Sequence, residues 1–435
     1  FSVAREQGFY DRFFDQQIWQ IPGDYLGGLA ADQYRSIGIT STFWGKASTR
    51  PVALANIRAV PALAQNYPPR MRVRGEGDAP EMAQPLTDRR WVRGFTTRTM
   101  ADGDCSPSAL RSVRAFARGE YESLDALNDA WGTEFAEWGK VRPLVLDEAV
   151  RAERRAGALA RWIQHRRHMD AVYLDYMKEK RAAAREFVTG IEATHDNFYG
   201  TDSYSGVNLW QQVDELIAGS GIGTGILPSF TPPERKHLAL NRNAAWHPDK
   251  ETEDNDLMAT RFGLGPWQHL LLGYHGTAYW TGHFSRFPGV PNGNFAMPIQ
   301  PDLRLTPLGK WAAAEVRRIR EGIDRMAFAG ERDDSGIAVL YSRASEHAAT
   351  AWQGLNFRNE KAGKLWPETE AQAAISLLRE NGYQYRRIAD AQIRRGALET
   401  DGVRLLILPF SQALSPEAAE RIRAFVREGG RVLAD

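Results

Sequence analysis

Apolar and polar positions along the chain alternate in a way that predicts repeated helix–strand units. A helix over residues 29–35 runs into SIGITSTFW, where Ile37, Ile39 and the β-branched Thr40 and Thr42 favour a strand. Residues 63–107 break the rhythm with Pro68, Pro69, Pro80, Pro85 and Pro107 and the glycines of GEGD, so they read as long loops. A helical hairpin is expected over 108–121 and 149–187, with Leu159, Trp162, Met169, Tyr173 and Tyr176 recurring at helical spacing as its buried stripe. FVTGIEATHDNFYG then reads as a strand entering a polar loop, and QQVDELIAG as the next helix. HLALNRNAAW and GTAYWTGHF each put a short apolar strand before polar or aromatic residues. Such alternation predicts a parallel (β/α)8 TIM-type barrel over residues 1–330, in which residues just past the strand C-termini converge on one face.

The charged stretch FAGERDDS marks a boundary before a second αβ series over residues 331–435. GIAVLYS is a strand, residues 371–380 form a helix closed by Asn381-Gly382, and RLLILPF has the continuous apolar run of a strand buried on both faces. Ser415-Pro416-Glu417 caps a further helix that ends at Gly429-Gly430, before the strand RVLAD. These elements predict a doubly wound α/β domain. RVLAD is expected to be a central strand, so either the natural protein continues beyond residue 435 or the ordered part ends there.

Composition narrows the chemistry. Lysine and arginine number 55 against 54 acidic residues, and no basic run carries interleaved aromatics, so a nucleic-acid partner is not expected. One cysteine, Cys105, excludes an internal disulfide framework and any multi-cysteine metal site. No apolar run approaches the ~20 residues of a membrane span, and FSVAREQGFYDRFF is too charged for a signal-peptide core. The chain reads as soluble, and the missing initiator Met suggests an absent leader or N-terminal segment, which leaves the cytoplasm and the exterior both open. Its 13 Trp, 14 Tyr and 19 Phe fit a carbohydrate ligand, whose apolar C–H faces stack on aromatic planes.

The segment ESLDALNDAWGTEFAEW (residues 122–138) with the following VRP resembles a signature region of the family 42 glycoside hydrolases, the β-galactosidases, and DCSPSALRSVRAFARGEY upstream fits the same region. EATHDNFYG is similar to that family's Thr-x-Asn-Phe loop, which implies that Asn197 and Phe198 stand at the barrel mouth. GYHGTAYWTGHF resembles its last barrel strand, and LSPEAAERIRAFVREGGRVL resembles its glutamine-amidotransferase-like trimerisation domain. The resemblance implies a carbohydrate substrate, no cofactor and a homotrimer or another homo-oligomer. Trp131, Phe135 and Trp138 within the signature read as packing anchors.

Hydrolysis needs two carboxyl groups, about 5 to 5.5 Å apart in retaining enzymes and roughly 6.5 to 9.5 Å apart in inverting ones. In the family the acid/base lies in an Asn-Glu or Asp-Glu pair before the DCSP-like turn, but GFTTRTMADGDC has no glutamate there. Asp102 or Asp104 takes that role, or Glu76 reaches in from the proline-rich loop, or the function is lost. Asp202, flanked by Gly and Tyr in YGTDSYSG, is the preferred second carboxylate, with an Asx-turn as its alternative role. Asn241 and Asn243 stand where a family strand would end in glutamate, and Glu251, Glu253, Asp254 and Asp256 follow on what reads as a solvated loop.

Candidate sugar contacts are His195, Asn197, Tyr199, His247, His275 and His283, with Trp44, Trp246 and Trp280 as stacking platforms. No H-x-H or H-E-x-x-H spacing occurs, so no metal is assigned. The expected activity is cleavage of a β-linked, β-galactoside-type glycosidic bond by a carboxyl pair drawn from Asp104, Asp202 and Glu76. The alternatives are a sugar-binding or assembly barrel without the pair and, last, a metal-dependent hydrolase built on the histidines.

Overall fold

The computed structural model describes residues 15–19, 28–39, 41–43, 58–60, 105, 107–152, 157–168, 171, 221–222, 229, 239–241, 264–273, 276–279, 299, 303–305, 307–330, 333–353 and 367–435. Contacts divide the chain into two compact units. The first comprises Phe1–Gln65, Arg181–Phe198 and Ile217–Arg332, and the second Asn66–Lys180, Tyr199–Leu216 and Asp333–Asp435. The architecture is α/β, with parallel sheets in both units.

In the first unit the strands are β1 (Asp15–Trp19), β2 (Ser41–Phe43), β3 (Arg58–Val60), β4 (Gly221–Ile222), β5 (Ala239–Asn241) and β6 (Gly276–Tyr279). Their order is β3-β2-β1-β6-β5-β4, every pair parallel. The pairing of β1 with both β2 and β6 brings the early strands beside the late ones, as the closing of a barrel requires. Ile37 and Ile39 are buried, as expected of core residues, but in the turn after helix Gly28–Ser36 and not in a strand. That turn closes through Gly38, whose φ of 89° suits a residue without Cβ, and through the Ile39 N–H donating to the Tyr34 carbonyl at 3.1 Å. Arg320 donates to the Gly38 carbonyl across 2.9 Å. Helix 264–271 and helix Pro307–Arg318 are joined by a bond from Trp267 Nε1 to Glu315 Oε2 (2.8 Å), and Leu270 and Ile319 form a small core beside it.

In the second unit, helix Pro107–Glu120 leads to helix Leu124–Trp131, capped by Ser123 Oγ accepting from the Ala126 N–H and closed by Gly132 in the left-handed conformation. Buried Ala117, Leu127, Trp131 and Val141 pack with Tyr121, Phe135 and Trp138, so the signature aromatics are the packing anchors expected of them. Arg161 lies over the rings of Trp131 and Phe135, and Arg118 over Trp138. Of the expected stripe, Leu159 and Trp162 pack with Ala149. Met169, Tyr173 and Tyr176 lie outside the described residues, as do the strand and helix expected over 187–218.

The remaining strands are β7 (Ile337–Tyr341), β8 (Arg386–Ala389), β9 (Leu405–Leu408) and β10 (Arg431–Ala434), in the order β10-β9-β7-β8 and all parallel. One face buries Ala338, Leu340, Ile388 and Leu406 against Ala418, Ile422 and Phe425, and the other buries Ile337, Val339 and Ile407 against Ala371, Ile375 and Leu378. Helices thus pack against both faces of this sheet, and the strand order reverses at β7. RVLAD, expected in the middle of the sheet, pairs as β10 with β9 at the outer end of the four described strands, and Leu433 is exposed.

Helix Pro416–Arg427 begins as its sequence requires. Ser415 Oγ accepts from the Ala418 N–H, with Pro416 at the first helical position. The Ser415 N–H and hydroxyl both donate to Asp390, at 2.9–3.0 Å, tying this cap to the end of β8. Ser415→Ala is expected to cost about 1 to 2 kcal/mol of stability, read as a lower denaturant midpoint at unchanged slope.

Candidate functional site

The parallel register aligns the strand C-termini of the first unit along one edge. Trp19 is level with Phe43 and Phe43 with Val60, while Ile18 and Asn241 are both level with Tyr279. In parallel barrels the loops beyond such an edge carry the chemistry. Trp44 is the next residue after β2, Trp280 the next after β6 with His283 three positions further, and Trp246 and His247 follow β5.

Trp44, Trp280, His283, Trp246 and His247 themselves lie outside the described residues. So do the expected carboxylates Glu76, Asp104 and Asp202, and the remaining expected contacts His195, Asn197, Tyr199 and His275. The described part of β5 ends in Asn241 and contributes no carboxylate to the edge. Among the described residues there is no group of three or more His, Cys, Asp or Glu able to hold a metal ion. No helix among them is long and apolar enough to cross a membrane.

One contact ties helix 264–271 to this sheet. Thr277 of β6 is fully buried, and its hydroxyl lies 2.9 Å from Nδ1 of His269 on helix 264–271. Burial pulls the His269 imidazole down to about 4, so the ring is neutral at ordinary pH and serves as a hydrogen-bonding strut. Sequence reading missed β1 altogether, because DQQIW has too few apolar residues to declare itself a strand.

Solved structures of similar shape identify the fold. A β-galactosidase from Bacillus circulans sp. alkalophilus aligns over 97% of this chain and 71% of its own, at 15% identity and a TM-score of 0.67. A catalytic mutant of Gan42B, a GH42 β-galactosidase from G. stearothermophilus, aligns over the same shares at 13% identity and a TM-score of 0.68. The chain has the family 42 β-galactosidase fold. By sequence it is similar to the β-galactosidase BglY of Alicyclobacillus acidocaldarius, 21% identical over 382 residues, which are 81% of this chain and 51% of that protein. The chain thus spans about half the length of this curated relative. No protein-family model matches the sequence. The resemblance carried by ESLDALNDAWGTEFAEW therefore agrees with the three-dimensional likeness to family 42 structures.

Proposed function

We propose that this protein acts on β-linked sugars of the β-galactoside type, cleaving the glycosidic bond with a carboxyl pair at the C-terminal edge of the barrel sheet. The observation that carries this reading is the family 42 fold, matched over 97% of the chain, with strand ends that come into register along a single edge. Asp104, Asp202 and Glu76 are the candidates for the pair. One of them, protonated, assists departure of the leaving oxygen, while the other, ionised, stabilises the oxocarbenium-like charge. His195, Asn197, Tyr199, His247, His275 and His283 supply hydrogen bonds to hydroxyls, and Trp44, Trp246 and Trp280 supply apolar faces. The protein works as a homotrimer or another homo-oligomer, without a cofactor, through a barrel over 1–330 and an amidotransferase-like domain over 331–435.

A panel of nitrophenyl glycosides tests the proposal. Turnover of a β-galactoside is expected, with the alanine variant of either true pair member reducing kcat at least a hundredfold. A specific observation favours a second reading, a barrel that binds sugar without cleaving it: β5 ends in Asn241, with no acid at the strand end. Sugar binding by calorimetry without turnover of any panel member selects this second reading. Neither binding nor turnover rejects both.

A further inference from the structure

We infer that helix 157–168 is an acid-released strap within the second unit, held at neutral pH by buried imidazoles that face two different helices and let go by their protonation. The inference is independent of the carbohydrate reading.

Histidines hold the helix from several sides. Towards helix Pro107–Glu120, His168 sets Nε2 2.8 Å from the Ser112 hydroxyl and its ring 5.6 Å from that of Phe116. His165 stacks on His168, with ring centroids 6.4 Å apart, and places Nδ1 3.1 Å from the Leu144 carbonyl oxygen. Towards helix Arg343–Gln353, fully buried Trp162 meets the edge of His347, at 6.0 Å between centroids and 71° between planes. His168 and His347 are each 2% exposed. Among the described residues, His168 Nδ1 and His347 Nε2 have no hydrogen-bond partner. An imidazolium is a donor at both nitrogens, so protonation in place leaves a buried N–H with no acceptor. Of the nearby carboxylates among the described residues, Glu120 is held by Arg167 at 2.7 Å, and Glu148 by Arg142 at 2.7 Å and by the Val145 N–H. The charges of Arg343, Arg166 and Arg167 act on His347, and that of His165 on His168, so a proton on either ring meets repulsion. Burial first, and these charges second, hold both imidazoles well below their usual value, His168 at about 3. Release of the helix lets water solvate both cations, so acid favours the released form. β9 and helix Pro416–Arg427 carry no histidine and lack this response.

Amide hydrogen exchange of the full chain at pH 7 and pH 5, followed by mass spectrometry and corrected for the intrinsic exchange rate, tests the strap. Opening of peptides covering 157–168 is expected to rise about a hundredfold or more at pH 5, since each imidazole contributes about tenfold per pH unit below 6.5. Peptides covering β9 and helix Pro416–Arg427 are expected to change less than about threefold. His168→Gln combined with His347→Phe, which keeps a polar group for Ser112 and a ring for Trp162, is expected to hold the rise at 157–168 below about tenfold. A melting temperature at pH 7 shows whether this double variant is folded, and if it is not, each single variant is expected to remove about half of the effect on a logarithmic scale. Unchanged protection of 157–168 at pH 5 overturns the strap, as does opening of β9 to the same extent, or a parent-like rise in the folded variants.

Discussion

Gly157→Ala is expected to lower the stability of the second unit by about 3 kcal/mol or more, the upper end of the range for overpacking. A Cβ at Gly157 would stand 2.3 Å from the carbonyl oxygen of Trp131 and 2.8 Å from the nitrogen of Gly132. Both neighbours are backbone, so no side chain can swing away to make room. They also belong to the left-handed C-cap of helix Leu124–Trp131, where Gly132 has φ 61° and ψ 47°. Moving that cap disturbs the packing of Trp131, which is only 2% exposed and bonded through Nε1 to the Tyr121 hydroxyl at 3.0 Å. Gly119, near the end of helix Pro107–Glu120, makes the contrast, because nothing lies within 4 Å of its added Cβ. Gly119→Ala should gain about 0.4 to 1 kcal/mol from reduced unfolded-state entropy. Guanidinium unfolding of both variants checks the pair, and equal midpoints would refute the close-approach argument.

The contrast between local and distant signals explains what was legible in the sequence. Ser415-Pro416 and Asn381-Gly382 announce helix ends through interactions within a few residues, and the helices they bound stand close to where the sequence puts them. RLLILPF announces β9 because a strand covered on both faces is apolar throughout. β1 is different. DQQIW is stabilised as a strand by pairing with β2 on one side and β6 on the other, and neither pairing leaves a mark on five mostly polar residues. Ile37 and Ile39 mislead in the opposite sense, since a turn that folds back on its own helix buries them as well as a strand would. The loop residues expected to hold substrate were chosen by residue type and by their position after expected strands.

Acidification from pH 7 towards pH 4 is expected to destabilise the protein steeply, and buried histidines supply a large share of the slope. His168 is 2% exposed, with its Nε2 held 2.8 Å from the Ser112 hydroxyl and its ring 5.6 Å from that of Phe116. Burial, and then the neighbouring His165, pull it down to about 3. His347, packed edge-on to Trp162, is pushed well below the usual imidazole value by burial and by the charges of Arg343, Arg166 and Arg167. His269 in the first unit is lowered to about 4 by burial. In the unfolded chain each titrates near 6.5, so between that pH and its folded value the unfolded state binds the extra proton. Stability is therefore full above about pH 6.5 and falls as the pH drops towards each folded value, by roughly 1.4 kcal/mol per pH unit for each histidine. Glu148 adds in the same direction. Burial alone would raise its carboxyl, but the Val145 N–H and Arg142, together with the charge of Arg161, hold it below the usual range. A His168→Gln variant, which keeps a partner for Ser112 but cannot ionise, should show a shallower decline by about one histidine's share. Urea midpoints at pH 7, 6, 5 and 4 measure it, and a variant whose slope matched the parent's would mean that His168 is protonated in the folded state at no cost.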